Sequence, residues 1–263
     1  MVLEKLMSIK MAIRQPVWVF ILGGIISVIC TLLAYVVFQT NIGWAANFLI
    51  TFAMLPFMIN LVTYEASMLE ENMEKYETMN IFERHRSIIV IYIAFFAGMI
   101  LTLSIFSMFL PDTLVQKIFE NQINEIDWLR SKATFGGTFQ SIILNNLGVL
   151  FAAFIFSVLF GAGALFILSW NASVLSTAIS MAAKSLGGFK GLPEAILSYF
   201  PHGSLEILAF FVGAIAGGLV SVAITKRKTK EFWFIIKDSL EMLGAAVVLL
   251  ILAAVIETTL IIY

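Results

Sequence analysis

Few side chains in this sequence could do chemistry, and most of those that could lie in its second half. In "LSYFPHGSLEILAFFVGAIAGG", residues 197–218, His202 stands four positions before Glu206. Residues four apart on a helix are neighbours on one face. Such a pair could cap a helix as a structural ion pair, exchange a proton as general acid and base, or bind and couple a cation. Asn145 and Asn146 form a second polar group, Asn171 in "LSWNASVLS" a third and Glu257 a fourth. No serine or cysteine nucleophile is recognisably placed beside them. A metal centre needs three or more ligands, and one histidine with asparagines does not supply them. No Walker, haem or thiol motif occurs, so neither a metal nor a cofactor is expected.

The elements that must position these residues follow from composition. Of 263 residues, 60% are apolar and 13% charged, against about 25% charged in a soluble domain. The chain reads as an all-α polytopic transmembrane helical bundle, with the lipid bilayer as its first partner. Its net charge of −1 gives no case for nucleic acid. The single cysteine, Cys30, excludes an intramolecular disulfide. The run from Val17 to Phe38 is too long for a signal-peptide core and reads as a retained first span.

Clear apolar runs lie at 17–38, 44–64, 88–110, 203–225 and 242–262. Between Gln140 and Lys184 there are 43 residues without a charge. One helix of that length would measure ~65 Å, about twice the hydrocarbon thickness. The stretch must fold back, and Gly161-Ala162-Gly163 is the natural turn, giving spans at 141–160 and 164–183. With seven spans and a cytoplasmic N-terminus, eleven Lys/Arg fall inside and five outside. A single span plus a re-entrant loop would make the count eight against eight. Seven spans are expected, with the N-terminus cytoplasmic and the C-terminus outside a cell membrane.

Three connections are longer than turns. Residues 65–86 hold six glutamates, with Leu69, Met73, Tyr76 and Asn80 at helical spacing, and read as a mostly solvated cytoplasmic helix. Residues 111–140 set Val115, Phe119, Ile123, Ile126 and Leu129 on one face and Glu120, Asp127 and Arg130 on others. That pattern predicts an amphipathic helix along the outer surface, with "FGGTF" at 135–139 turning the chain back into the membrane. Residues 184–202 read as a turn plus a short helix begun by Pro193.

This topology places His202 at the outer mouth of the sixth span, with Pro201 at its first helical position and Glu206 one turn deeper. Asn145 and Asn146 lie one turn inside the outer end of the fourth span and are expected to converge with His202 and Glu206. Glu257, near the outer end of the last span, reads as an interfacial carboxylate. Asn171 is expected deeper, near the middle of the fifth span. Gly213, Gly217 and Ser221 form a small-xxx-small ladder that lets another helix approach closely, from this chain or from a second copy in a homodimer. Pro56 is expected to kink the second span. "KRKTK" at 226–230 reads as an anchor on anionic lipid.

The order of these signals resembles the stage II sporulation protein M family. It comprises the Asn145-Asn146 pair, the hairpin hinged at Gly161 and Gly163, Asn171, "PHG" followed by Glu206, a glycine-rich span and a basic loop. The resemblance covers residues 88–263 and implies a five-span core. Residues 1–64 would then be an N-terminal transmembrane hairpin and 65–87 an acidic linker. The family commonly has Asn-Gly where this chain has Asn171-Ala172, which puts a tight-turn role of that glycine in doubt. The resemblance implies a non-enzymatic scaffold that recruits other membrane or envelope proteins, with 111–140 and 65–86 as docking surfaces. The residues alone leave two rivals, a small ion- or proton-coupled transporter using His202 and Glu206, and an intramembrane enzyme acting on lipid or peptide.

Overall fold

The structure is a computed structural model describing residues 7–72, 78–135, 138–226 and 229–262; the side chains of 130–135, 138, 229–231 and 261–262 lie outside the description. A short helix α1 (Ile9–Arg14) leads into α2 (Pro16–Val37), the first span, with Pro16 in its first turn where a missing N–H costs nothing. The second span, α3, runs from Ile42 to Glu71 without interruption, and Pro56 lies inside it. One turn, α4 (Ile81–Arg84), precedes the third span α5 (Arg86–Phe109). Two helices, α6 (Asp112–Ile118) and α7 (Glu120–Phe135), cross one end of the bundle. The remaining spans are α8 (Thr138–Phe160), α9 (Leu165–Ser185), α10 (Leu192–Lys226) and α11 (Thr229–Ile262). Among the described residues, seven helices are long and apolar enough to cross a membrane, so the protein is a multi-pass helical membrane protein.

The turn between α8 and α9 falls at Gly161, whose φ of 75° favours a residue without Cβ. The uncharged stretch is therefore two helices, each long and apolar enough to cross a membrane. The glycine ladder of α10 faces inward, since a Cβ at Gly213 would overlap Leu150, and one at Gly217 the carbonyl of Phe154, both on α8. A second close approach joins the first and third spans, where Gly98 meets the carbonyl of Phe20. Gly98→Ala would force these two backbones apart. It is expected to cost about 1–3 kcal/mol, read as a lower thermal midpoint in detergent, whereas Gly148→Ala on the open face of α8 should leave the midpoint unchanged.

Three connections differ from expectation. The acidic stretch is not solvated along its length: its first turns extend α3, and Glu65, Ala66 and Leu69 are buried. Met73 and Tyr76 lie outside the described residues. The amphipathic face of 112–129 is spent on protein rather than on lipid, because Val115, Ile118 and Phe119 pack against Ala34, Ile42 and Ala46. Finally, Pro201 does not begin a helix. Residues 192–226 form one helix with Pro201 inside it, because Ala195, Ile196 and Tyr199 are already packed against Ile179 and Ala183 of α9. That packing offsets the one hydrogen bond a proline removes.

A candidate polar cavity within the bundle

At the end of the bundle capped by α7, a cavity of about 320 Å³ lies between α8, α9, α10 and α11. Asn145 and Asn146 enter it from α8, Asn171 from α9, Tyr199, His202 and Glu206 from α10, and Glu257 from α11, while Ile126 and Leu129 of α7 form its roof. The four residues expected to converge do so, and two more join them. Asn171 lines the same cavity from α9, and its amide donates to the Ile167 carbonyl at 2.8 Å. Glu257 is not a free interfacial carboxylate. It lines the same cavity as Glu206.

Glu206 organises the site. Asn146 Nδ2 donates to Glu206 Oε1 at 2.6 Å, and Asn146 is itself buried. Glu206 and Glu257 thus bring two carboxyl groups to one cavity. His202 does not pair with Glu206. Its Nδ1 is buried without a partner, and its ring tilts against Tyr199 at 6.3 Å between centroids. The sequence spacing correctly put the two on one helix face, but Glu206 turns across the cavity to α8. The site therefore offers two carboxyl groups, amide groups from three asparagines and an unpaired imidazole nitrogen to whatever enters.

A second cluster, which sequence reasoning missed, lies at the opposite end. His85 is fully buried, with Nε2 2.7 Å from Asp238 Oδ2 and Nδ1 2.9 Å from Glu65 Oε1. Arg84 pairs with the other oxygen of Asp238, and its guanidinium stands 5.8 Å from the Phe234 ring centre. Two carboxylates face one guanidinium and one imidazole with both nitrogens occupied. Burial alone would lower the His85 pKa, but the hydrogen bonds to Asp238 and Glu65 and their charges outweigh it and raise it to about 9. The imidazolium makes the quartet neutral overall. It ties α3 to the loop before α5 and to α11, and no residue of it reaches the cavity. Its one sequence signal was a histidine and an aspartate flanking apolar runs, with nothing to join them. Among the described residues no group of three His, Cys, Asp or Glu is arranged to hold a metal.

Fold and cavity together define a class: a polytopic helical membrane protein with a buried polar pocket at one end of its bundle. Residues 87–260 match the Stage II sporulation protein M family, and the chain belongs to it. An uncharacterized protein of Methanocaldococcus jannaschii is 31% identical over 169 residues, which cover 60% of this chain and 90% of that one. No solved structure matches the chain. The matched region contains α5 and α8 to α11, and with them every polar residue of the cavity named above. It leaves out α2, α3 and three members of the buried quartet, Glu65, Arg84 and His85.

Proposed function

We propose that this protein is a small ion- or proton-coupled transporter whose binding site is the cavity between α8, α9, α10 and α11. The placement of Glu206 and Glu257 together in the wall of that cavity carries the reading. Carboxylates within a membrane bundle are costly, and they mark substrate and ion pathways. Asn146 holds Glu206, and His202 supplies the unpaired nitrogen. The distribution of Lys and Arg orients the N-terminus to the cytoplasm, which sets the cavity in the outer leaflet and the C-terminus outside. Single cysteines introduced on a Cys30→Ser background test that orientation. Glu120→Cys on α7 is expected to react with an impermeant maleimide in intact cells, and Glu83→Cys only after permeabilisation.

The functional test is flux of protons, sodium, potassium and methylammonium into proteoliposomes. Wild type should carry at least one of these above the rate of empty liposomes, and Glu206→Gln should abolish that flux while keeping the protein folded. Failure of wild type on all four would sink the transport reading.

The scaffold role implied by the family keeps one observation in its favour. With the apolar face of α6 and α7 spent on the bundle, Gln116, Lys117, Glu120, Asn124 and Asp127 form a polar face that points away from it. Crosslinking in the producing organism tests this alternative. A stoichiometric membrane or envelope protein, captured by wild type and lost when Glu120 and Asp127 are both replaced by lysine, would establish it.

A further inference from the structure

The polar cavity is not isolated. A second cavity of about 530 Å³ adjoins it, and the two share Leu129, Asn145, Asn171 and Val174 in their walls. It forms because the arms of the α8–α9 hairpin separate above their turn: α8 packs chiefly on α10 and α11, whereas α9 packs chiefly on α5, α10 and α3. The wedge between them is walled by Phe166, Trp170 and Val149, and Trp44 of α3 stacks on Trp170 with ring centres 3.7 Å apart. Its rim is open. Leu144 is 59% exposed, and a side chain added at Gly148 would meet nothing within 4 Å. In a chain that crosses a bilayer, that rim faces acyl chains rather than water. At its other extreme the wedge carries Glu125.

The chemistry of the lining selects the ligand. Among the described residues the two cavities hold Glu125, Glu206 and Glu257 and no lysine or arginine. A phosphate or fatty-acid head would meet three carboxyl groups and, among the described residues, a single imidazole, His202, to set against them. A protonated amine would find complementary charge, with asparagine carbonyls and carboxylate oxygens to accept its three N–H donors. The apolar wedge beyond Asn145 and Asn171 has room for a chain attached to that amine.

Resting on the proposed binding role of this cavity, we infer that it takes its ligand sideways from the bilayer. The ligand is a single-chain amphipath with a protonated amine head, which passes between α8 and α9. The head rests at Asn145, Asn146 and the Glu206–Glu257 pair, and the tail stays in the wedge against Phe166, Trp170 and Gly148.

The test uses the full chain in phosphatidylcholine nanodiscs and a hexadecylamine bearing a diazirine near the end of its chain. After photolysis, labelled peptides are mapped by mass spectrometry, and methylammonium binding from the aqueous side is measured in parallel. Labelling is expected on the 144–152 and 166–174 segments, competed by unlabelled hexadecylamine and not by hexadecanoic acid. Glu206→Gln should reduce both this labelling and methylammonium binding by about tenfold or more, the scale of one lost charged hydrogen bond. Gly148→Trp should block the labelling and leave methylammonium binding unchanged.

Methylammonium binding that needs Glu206, without competable labelling of the wedge, would overturn lateral access and leave the proposed site standing. Equal competition by hexadecanoic acid would overturn the amine specificity. Loss of methylammonium binding in Gly148→Trp would show that the wedge is no separate path, and would overturn the inference too. No binding of either amine by wild type would overturn the inference together with the reading of the cavity beneath it.

Discussion

Asp238→Ala is expected to lower stability by about 3–5 kcal/mol, the usual cost of removing one partner from a buried ion network. Asp238 is 1% exposed and accepts from both Arg84 and His85. Its loss would strand a guanidinium and an imidazolium in the bundle with one carboxylate, Glu65, between them. Thermal unfolding in detergent measures the effect. Lys237→Ala is the control next door, because its pair with Glu241 is long at 3.9 Å and its side chain is 79% exposed; a change within about 0.5 kcal/mol is expected there. The same network gives a pH dependence of known sign. His85 is raised from its ordinary 6.5 to about 9 in the fold, so the folded state binds its proton more tightly than the unfolded chain does. Its stabilisation is complete below about pH 6.5 and is lost as pH rises through about 9. Midpoints measured from pH 6 to pH 10 should fall across that window in wild type, and His85→Gln should remove the fall. A flat profile in wild type would show that the imidazolium is not what holds α3 to α11.

The quartet also marks where sequence reading runs out. Apolar runs disclosed the spans because a hydrocarbon layer imposes its length on any helix that crosses it. The fold-back at Gly161 was legible for the same reason, since 43 uncharged residues exceed one crossing. Asn145, Asn146, His202 and Glu206 could be placed at one end by counting turns from the span ends. Counting gives depth along each helix and nothing about rotation or partner. It set Glu206 beside His202, four residues away, whereas the carboxylate bonds to Asn146, sixty residues away. His85 meets Glu65 at a separation of 20 residues and Asp238 at 153, and no local pattern encodes either contact. Pro201 misled for the opposite reason. Its local preference for a helix start is real, but packing of Ala195 and Tyr199 on α9 carries the helix through it. The amphipathic face of 112–129 was likewise read correctly as a pattern and assigned to lipid. A pattern of apolar residues does not say whether bilayer or bundle will cover it.

The largest functional effect is expected at the carboxyl pair, and it should be strongly non-additive. Glu206→Gln and Glu257→Gln each keep a side chain able to hydrogen-bond but remove one of the two carboxyl groups that line the cavity. Each should reduce cation flux and cation binding by about ten- to a hundredfold, the equivalent of about 1.5–3 kcal/mol for a hydrogen bond to a charged group. If the pair works as one unit, the double substitution should cost little more than either single one, leaving a coupling energy of about 1–3 kcal/mol in the double-mutant cycle. Asn146→Ala should fall between, since it frees Glu206 Oε1 without removing charge. Thermal midpoints must be measured on the same samples, because Glu206 also bridges α10 to α8. A Gln variant that unfolds would show a structural brace, and one that folds but no longer binds would show a site. Strictly additive losses would mean that Glu206 and Glu257 act on the cation separately.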